Sequence, residues 1–355
     1  MLRYMSAKEA AEEWNISQRR VATLCSEERI EGAMMVGNMW IIPSNASKPI
    51  DMRTAENHAR IERSAKPFIK WVGGKSQLLH DIDTLLQKKE LGGIRKYAEP
   101  MVGGGALLFH MLANYSFDEV YISDINGELI NCYNVVRDSV DQLIFMLDKM
   151  QTLFLPMNDA ERKYFYYNVR EQFNNTVLDE STSVLKAALF IFLNKTCFNG
   201  LYRVNKKGQF NVPIGAYKRP TICDEVNLRN VSRALDHVVI RCGDFTDAML
   251  FIDEKTLVYI DPPYRPISKT SSFTAYNEND FDDDEQRRLA QFVRALDSKG
   301  ANIILSNSDP HNADEDDKFF EELYNGFHIN KVEATRMINS KGTGRNKISE
   351  LLICN

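Results

Sequence analysis

The residues of this chain best equipped for chemistry are Asp261-Pro262-Pro263-Tyr264, directly after the apolar run Leu257-Val258-Tyr259-Ile260. That run reads as a buried strand. A residue before proline is pushed out of the helical region, and neither proline has an N–H for a ladder, so the chain leaves the sheet in a stiff extended loop. A carboxylate, the Pro262 carbonyl and an aromatic ring are then held together at a strand's carboxyl end. Two acceptors and a π-face suit an exocyclic amine on a flat ring, and the expected chemistry is amino-methylation of a nucleic-acid base. Such an amine is out of reach in a stacked duplex, so the base must be turned out before Tyr264 can stack on it.

A second constellation precedes it. Tyr97-Ala98-Glu99-Pro100-Met101-Val102-Gly103-Gly104-Gly105 reads as a strand entering a glycine-rich turn, with a helix predicted over Ala106–Leu112. Glycines there let backbone approach a ligand and expose helix-start N–H groups. Asp124 ends the next apolar run, Val120-Tyr121-Ile122, where a carboxylate can accept from ribose hydroxyls. That geometry serves NAD and S-adenosylmethionine equally. A phosphate-loop reading of Lys70-Trp71-Val72-Gly73-Gly74-Lys75-Ser76 fails, because Ile69 stands where the motif needs its first glycine.

These groups need a scaffold. With 355 residues, 44% of them hydrophobic and 26% charged, the chain has the composition of a soluble globular protein of two or three domains. The opening residues lack a signal-peptide apolar stretch and no run approaches ~18 apolar residues, so a cytoplasmic protein without a membrane span is expected, bacterial or phage and nucleoid-associated. Six scattered cysteines and six dispersed histidines give neither a disulfide framework nor a metal site. The net charge of −5 argues against a polyanion partner, but its distribution reverses that. Between Ser181 and Cys223 there is no acidic residue, while Lys186, Lys195, Arg203, Lys206, Lys207, Lys218 and Arg219 are all basic.

Three segments differ in character. In residues 1–48, Ser6 with Glu9 forms a capping-box pattern for a helix over Ala7–Glu13, and Ser17 can cap a second over Gln18–Ser26. A hairpin follows, Met34–Val36 and Met39–Ile42 around Gly37-Asn38, ending at Pro43. Residues 49–65 are polar and read as a linker. From Pro67 strands and helices alternate, an α/β pattern, with strands predicted at Lys96–Glu99, Glu119–Ser123, Val238–Cys242, Leu257–Ile260 and Asn302–Ser306. Residues 155–230 break that rhythm and read as an insertion containing a hairpin, leaving 66–154 and 231–355 as one catalytic domain.

The first segment resembles the winged-helix modules of excisionase- and MerR-like proteins, with Arg19 and Arg20 opening the second helix where a DNA reader needs them. Its basic residues are balanced by glutamates, so a protein-contact or structural role competes with DNA binding. From Pro67 onward the chain resembles the Dam-type, D12 class DNA adenine-N6 methyltransferases. The ordered motifs are Lys70–Lys75, Glu99–Gly105, Asp124-Ile125-Asn126, Asn194–Asn205, Gly208–Pro213, Asp261–Tyr264, Phe273–Tyr276 and the Ser340–Leu352 region.

The resemblance implies a Rossmann-like methyltransferase sheet with an inserted, mostly helical recognition domain. It implies S-adenosylmethionine bound by Trp71, Lys75, Glu99, Gly103, Gly105, Asp124 and Asp261, with Asp244 and Phe245 as adenine-side contacts. It also implies double-stranded DNA read by Phe198, Asn199, Leu201, Arg203, Asn205, Lys206 and Tyr217, within GATC. Arg203 could grip a guanine edge bidentately, and Lys195, Lys206, Lys207 and Lys218 would meet phosphates. Arg265–Asp280, with Phe273 and Tyr276, would form a lid. Three positions depart from the family's pattern. Met101 replaces a usual phenylalanine, Phe198 a usual tyrosine or other aromatic, and Ala216 a residue that is basic in several relatives. A separately encoded partner endonuclease fits a restriction-modification role. The rivals are methylation of another target, such as cytosine N4, RNA adenine or protein glutamine, and a non-enzymatic DNA-binding regulator.

Overall fold

A computed structural model describes residues 4–14, 17–26, 30, 32–37, 39–44, 46, 65–71, 73, 78–88, 93–265, 281–335 and 347–355. The chain divides into two compact units, Met1–Arg63 and Ser64–Asn355.

In the first unit the capping box forms as the sequence predicts: the Ser6 N–H donates to Glu9 Oε2 at 2.7 Å, and the Glu9 N–H donates to Ser6 Oγ at 3.3 Å. Strand β1 (Tyr4–Ser6) leads into helices α1 (Ala7–Glu13) and α2 (Gln18–Ser26), followed by the hairpin of β2 (Met34–Val36) and β3 (Met39–Pro43). The three strands are antiparallel in the order β1-β3-β2. Ala10, Trp14, Val21, Cys25 and Ile42 are among the residues of its own small core. Arg19 and Arg20 lie on α2, and their side chains fall outside what is described.

The second unit is built on seven strands: β4 (Lys96–Glu99), β5 (Glu119–Asp124), β6 (Val238–Cys242), β7 (Thr256–Ile260), β8 (Asn302–Ser308), β9 (His328–Thr335) and β10 (Lys347–Cys354). Their order is β6-β5-β4-β7-β8-β10-β9. The first five are parallel, and β10 runs antiparallel to both β8 and β9. The order reverses at β4, which pairs with β5 on one side and β7 on the other. A crevice therefore opens at the carboxyl ends of β4 and β7, the place where open α/β sheets bind ligands.

Alternation along the strands feeds two cores. Tyr97, Leu257, Tyr259 and Ile304 face one layer, with helices α3 (Leu79–Lys88), α4 (Ala106–Asn114), α5 (Gly127–Asp138), α6 (Val140–Phe154), α7 (Asp159–Asn175), α8 (Ser183–Thr196) and α9 (Glu225–Ala234). Ala98, Val258, Ile260 and Leu305 face the other, with α10 (Asp283–Ser298) and α11 (Phe319–Leu323). All of β7 is buried, as a parallel strand covered on both faces must be, and each large apolar side chain there contributes about 1.5–3 kcal/mol. Helix α8 is buried on nearly every face and forms the centre of its layer rather than its surface.

Candidate active site

The Asp261 corner sits where the sheet order reverses. The register that pairs Ala98 with Val258 carries Glu99 and Asp261 to the same end of β4 and β7. Ser306 on β8 donates to Asp261 Oδ1 at 2.9 Å, and the Tyr259 and Ser306 hydroxyls lie 3.0 Å apart. The loop leaving β7 is tied down at Pro263, Tyr264 and Arg265. The Pro263 carbonyl accepts from Gln286 Nε2 at 3.2 Å. Tyr264 donates its hydroxyl to Glu350 on β10 at 2.5 Å. Arg265 forks onto Asp283 at 2.7 and 3.1 Å and reaches Asp317 at 2.6 Å. Burial, then the nearby Asp261 and Glu350 charges, raises the Tyr264 hydroxyl far above its ordinary range, so it stays a neutral donor. None of Gln286, Asp283, Asp317 or Glu350 is legible as a partner in the sequence, because each arrives from another element.

The glycine turn occupies the other side of the crevice. Gly103 and Gly105 have φ of 49° and 70°, a region that disfavours a side chain. Added Cβ atoms would also collide: at Gly103 with the Trp71 ring at 2.9 Å, at Gly104 with Trp71 Cβ at 2.8 Å. Trp71 is therefore packed directly over the turn. Asp124 binds both loops, accepting from the Gly103 N–H at 3.1 Å and the Asn126 N–H at 3.0 Å. Burial nevertheless raises its carboxyl above the usual range, outweighing those backbone donors. Glu99 is only 2% exposed and accepts from the Tyr97 hydroxyl at 3.0 Å. Burial first, and then the Asp261 charge, holds it well above the ordinary carboxylate range against that hydrogen bond. Three carboxyl groups thus gather at one end of the sheet, and a cationic ligand beside them would stabilise the ionised forms that burial disfavours.

Asp244 caps the short 3-10 turn Phe245–Leu250, accepting from the Thr246 N–H at 3.0 Å. Arg288 of α10 donates to both its oxygens, at 2.9 and 2.7 Å, and lies 4.2 Å from the Phe245 ring centre. That guanidinium keeps the Asp244 carboxyl well below its usual range. Phe245 is 4% exposed and belongs to the α10 core.

The inserted segment presents a hairpin, bridged at Cys197 with Ile214 and at Val204 with Phe210. Phe198 is 51% exposed at its base, and Asn199 takes a left-handed φ of 55°. Arg203 is exposed, with Nε donating to Asn211 Oδ1 at 2.7 Å. Asn205 shapes the tip: its Oδ1 accepts from the Lys207 and Gln209 N–H groups at 2.9 and 3.1 Å, which leaves Lys206 and Lys207 projecting into solvent. Leu201 and Tyr217 are half-buried, and Lys70 Nζ stands 3.8 Å from the centre of the Tyr217 ring. Asn194 ties the first motif to this hairpin, exchanging two 2.7 Å hydrogen bonds with the Lys70 backbone and donating to the Gly200 carbonyl at 3.0 Å.

Not every basic residue faces outward. Lys186 is 5% exposed, paired with Glu128 at 3.1 Å and donating to the Phe173 and Thr176 carbonyls. The expectation that it contributes to a phosphate-facing surface is corrected: α8 is a central helix, and its single early lysine is buried with it. Lys195 is half-buried, and burial followed by Lys70 lowers its pKa. Lys75, Phe273, Tyr276 and residues 266–280 of the expected lid, with most of Ser340–Leu352, lie outside the described residues.

The second unit thus carries a carboxylate corner beside a glycine turn at the point where the order of a Rossmann-like sheet reverses. The D12 class N6 adenine-specific DNA methyltransferase family model matches residues 71–338. The chain belongs to that family. It is 54% identical over 292 residues to "Type II methyltransferase M.MjaIII" of Methanocaldococcus jannaschii, covering 82% of this chain and 99% of the relative. It is 39% identical over 292 residues to "Type II methyltransferase M1.LlaDCHI" of Lactococcus lactis subsp. cremoris, covering 82% and 95%. To "DNA adenine methylase" of Escherichia coli K12 it is 34% identical over 287 residues, covering 81% and 94%.

Proposed function

We propose that this adenine-N6 DNA methyltransferase acts on a flipped adenine within GATC, gripping its amine between the Asp261 carboxylate and the Pro262 carbonyl. The observation that carries the reading is the location of Asp261, next to buried Glu99 and opposite the glycine turn, at the point where the sheet order reverses. An adenine amino nitrogen is a poor nucleophile because its lone pair is delocalised into the ring. Two fixed acceptors for its hydrogens hold the nitrogen partly pyramidal and meet the positive charge that develops on it. Tyr264, its hydroxyl anchored on Glu350, offers its ring to the extruded base.

The residues present fit S-adenosylmethionine. The carboxylates of Glu99, Asp124 and Asp261 suit a cation, and the turn beneath Trp71 admits only glycine at its left-handed positions. When bound there, the cofactor supplies an electrophilic methyl group on a sulfonium. Trp71, Lys75, Gly103, Gly105, Asp124, Asp244 and Phe245 would line its pocket, and Met101 is apolar and adaptable enough to fill the place of a phenylalanine.

Residues 155–230 would read the target, with Arg203 on a guanine edge, Phe198 stacking at the vacated position, and Lys206 and Lys207 on phosphates. The GATC assignment rests on the Asn194–Asn205 and Gly208–Pro213 motifs. The module of residues 1–48 would add a second DNA contact through Arg19 and Arg20. A cytoplasmic location and a partner endonuclease complete the proposal. The test is expression in a host lacking adenine methylation, with modified bases mapped by single-molecule sequencing. N6-methyladenine confined to GATC is expected. Modification at another short palindrome would overturn the sequence assignment, and an unmodified genome the whole reading.

A further inference from the structure

We propose that Ser306 is a positioning residue for methyl transfer, a buried hydroxyl that fixes the rotation of the Asp261 carboxylate and is itself oriented by Tyr259. This rests on the reading of Asp261 as the amine acceptor.

The sheet dictates the arrangement. Tyr259 of β7 pairs with Ile304 of β8. Side chains on one face recur every second residue, so Asp261 and Ser306, each two positions further on, share the face of Tyr259. Ser306 is 0% and Tyr259 2% exposed, so water does not substitute for either hydroxyl. Serine has one proton to give. Ser306 donates it to Asp261 Oδ1 at 2.9 Å, so the Tyr259 hydroxyl, 3.0 Å away, is the donor to Ser306. The direction of the chain is then settled from Tyr259 through Ser306 to Asp261. It ends on an acceptor, which favours the ionised carboxylate and pins one of its two oxygens. The bond at Oδ1 restricts rotation of the carboxylate about its last bond, and with it the plane in which its oxygens meet the amine. The titratable groups described around Asp261 are acids: Glu99 on β4, Tyr259 on β7, Tyr264 in the loop and Glu350 on β10. A neutral hydroxyl donor in that company keeps the carboxylate charged without contributing a cation that would repel a sulfonium.

Single-turnover methyl transfer to a duplex oligonucleotide, followed against pH, tests this with Ser306→Ala and Tyr259→Phe. Ser306→Ala is expected to slow the step about 10- to 100-fold, the value of a hydrogen bond to a charged group. Dissociation constants for duplex and for S-adenosylhomocysteine should stay within about twofold. With the donor gone the carboxylate holds its proton to higher pH, so the acid limb of the rate profile moves upward. Tyr259→Phe removes one atom and should show a smaller loss with the same direction of movement. A wild-type rate and an unmoved limb in Ser306→Ala, or a loss confined to affinity, would overturn the proposal. Should Ser306→Ala not fold, the limb of Tyr259→Phe decides it in the same way. Asp261→Asn separates the two levels. Retained turnover there removes the reading beneath, whereas an inactive Asp261→Asn with an unaffected Ser306→Ala removes this inference alone.

Discussion

The Tyr202 ring lies 5.8 Å from the Trp71 ring with 22° between their planes, and its hydroxyl donates to Glu128 at 2.6 Å. One side chain of the hairpin bridged at Cys197–Ile214 and Val204–Phe210 thus rests on the ring that covers the glycine turn and is bonded to the helix that follows Asp124. Tyr202→Phe keeps the stack and loses a bond to a carboxylate, for about 1.5–3 kcal/mol by denaturant unfolding. Tyr202→Leu loses the stack as well, about 0.5–1.5 kcal/mol more. Weaker binding of S-adenosylhomocysteine is expected in Tyr202→Leu and not in Tyr202→Phe, measured by calorimetry.

Arg203 is exposed on the same hairpin and pre-set by Asn211. Arg203→Ala is expected to cost about 1–3 kcal/mol of discrimination at a single base pair. Methylation rates on oligonucleotides substituted one position at a time check this. An unchanged preference at every position removes Arg203 from the recognition set.

Lys186 and Lys206 separate a buried structural lysine from an exposed one proposed to meet phosphate. Lys186→Met leaves Glu128 without its buried cation and should destabilise the fold by about 3 kcal/mol, with the salt dependence of DNA binding unchanged. Lys206→Ala should leave stability alone and lower the slope of log K against log salt by about 0.9. Chemical denaturation and binding titrations at several salt concentrations read the two effects.

Arg288 holds Asp244 in its ionised form through a partly exposed bidentate pair, so its contribution to stability is about 1 kcal/mol. A carboxyl lowered in the folded state contributes stability that is present above its unfolded value, near 3.9, and lost as pH falls through the folded one. The stability gap between wild type and Arg288→Ala should therefore be full at neutral pH and close below about pH 4. A gap that persists undiminished in acid would show that Arg288 acts instead through its packing on Phe245.

Gly105 tests the turn. Its φ of 70° costs an alanine about 1–2 kcal/mol, and the new Cβ would stand 2.5 Å from the Tyr133 hydroxyl, which donates to the Gly103 carbonyl. Gly105→Ala should lose about 2–4 kcal/mol of stability and most cofactor binding. Thermal unfolding with and without S-adenosylhomocysteine measures both.

Much of this was legible in the residues. Strand ends are marked by where an apolar run meets a carboxylate or proline, which located Asp124 and Asp261. The capping pair of Ser6 and Glu9, and the hairpin ending at Pro43, are local and formed within the expected bounds. What failed is the charge census. Lys186 looks like its basic neighbours because a lysine's burial depends on where its helix packs, and the carbonyls that receive it come from α7 and the residues just after it.

By itself the amino-acid order determined which groups stand at strand ends and which segments turn, because those features follow from local backbone preference and periodicity, while the family was carried by the resemblance of its ordered motifs. Only the tertiary structure decided which way those groups point. The rotation of Asp261, the charge of Asp244 and the anchoring of Tyr264 are each set by a residue some 40 or more positions away, Ser306, Arg288 and Glu350. Contacts across that separation exist only once strands β7, β8 and β10 and helix α10 have packed against one another, so no local pattern could announce them.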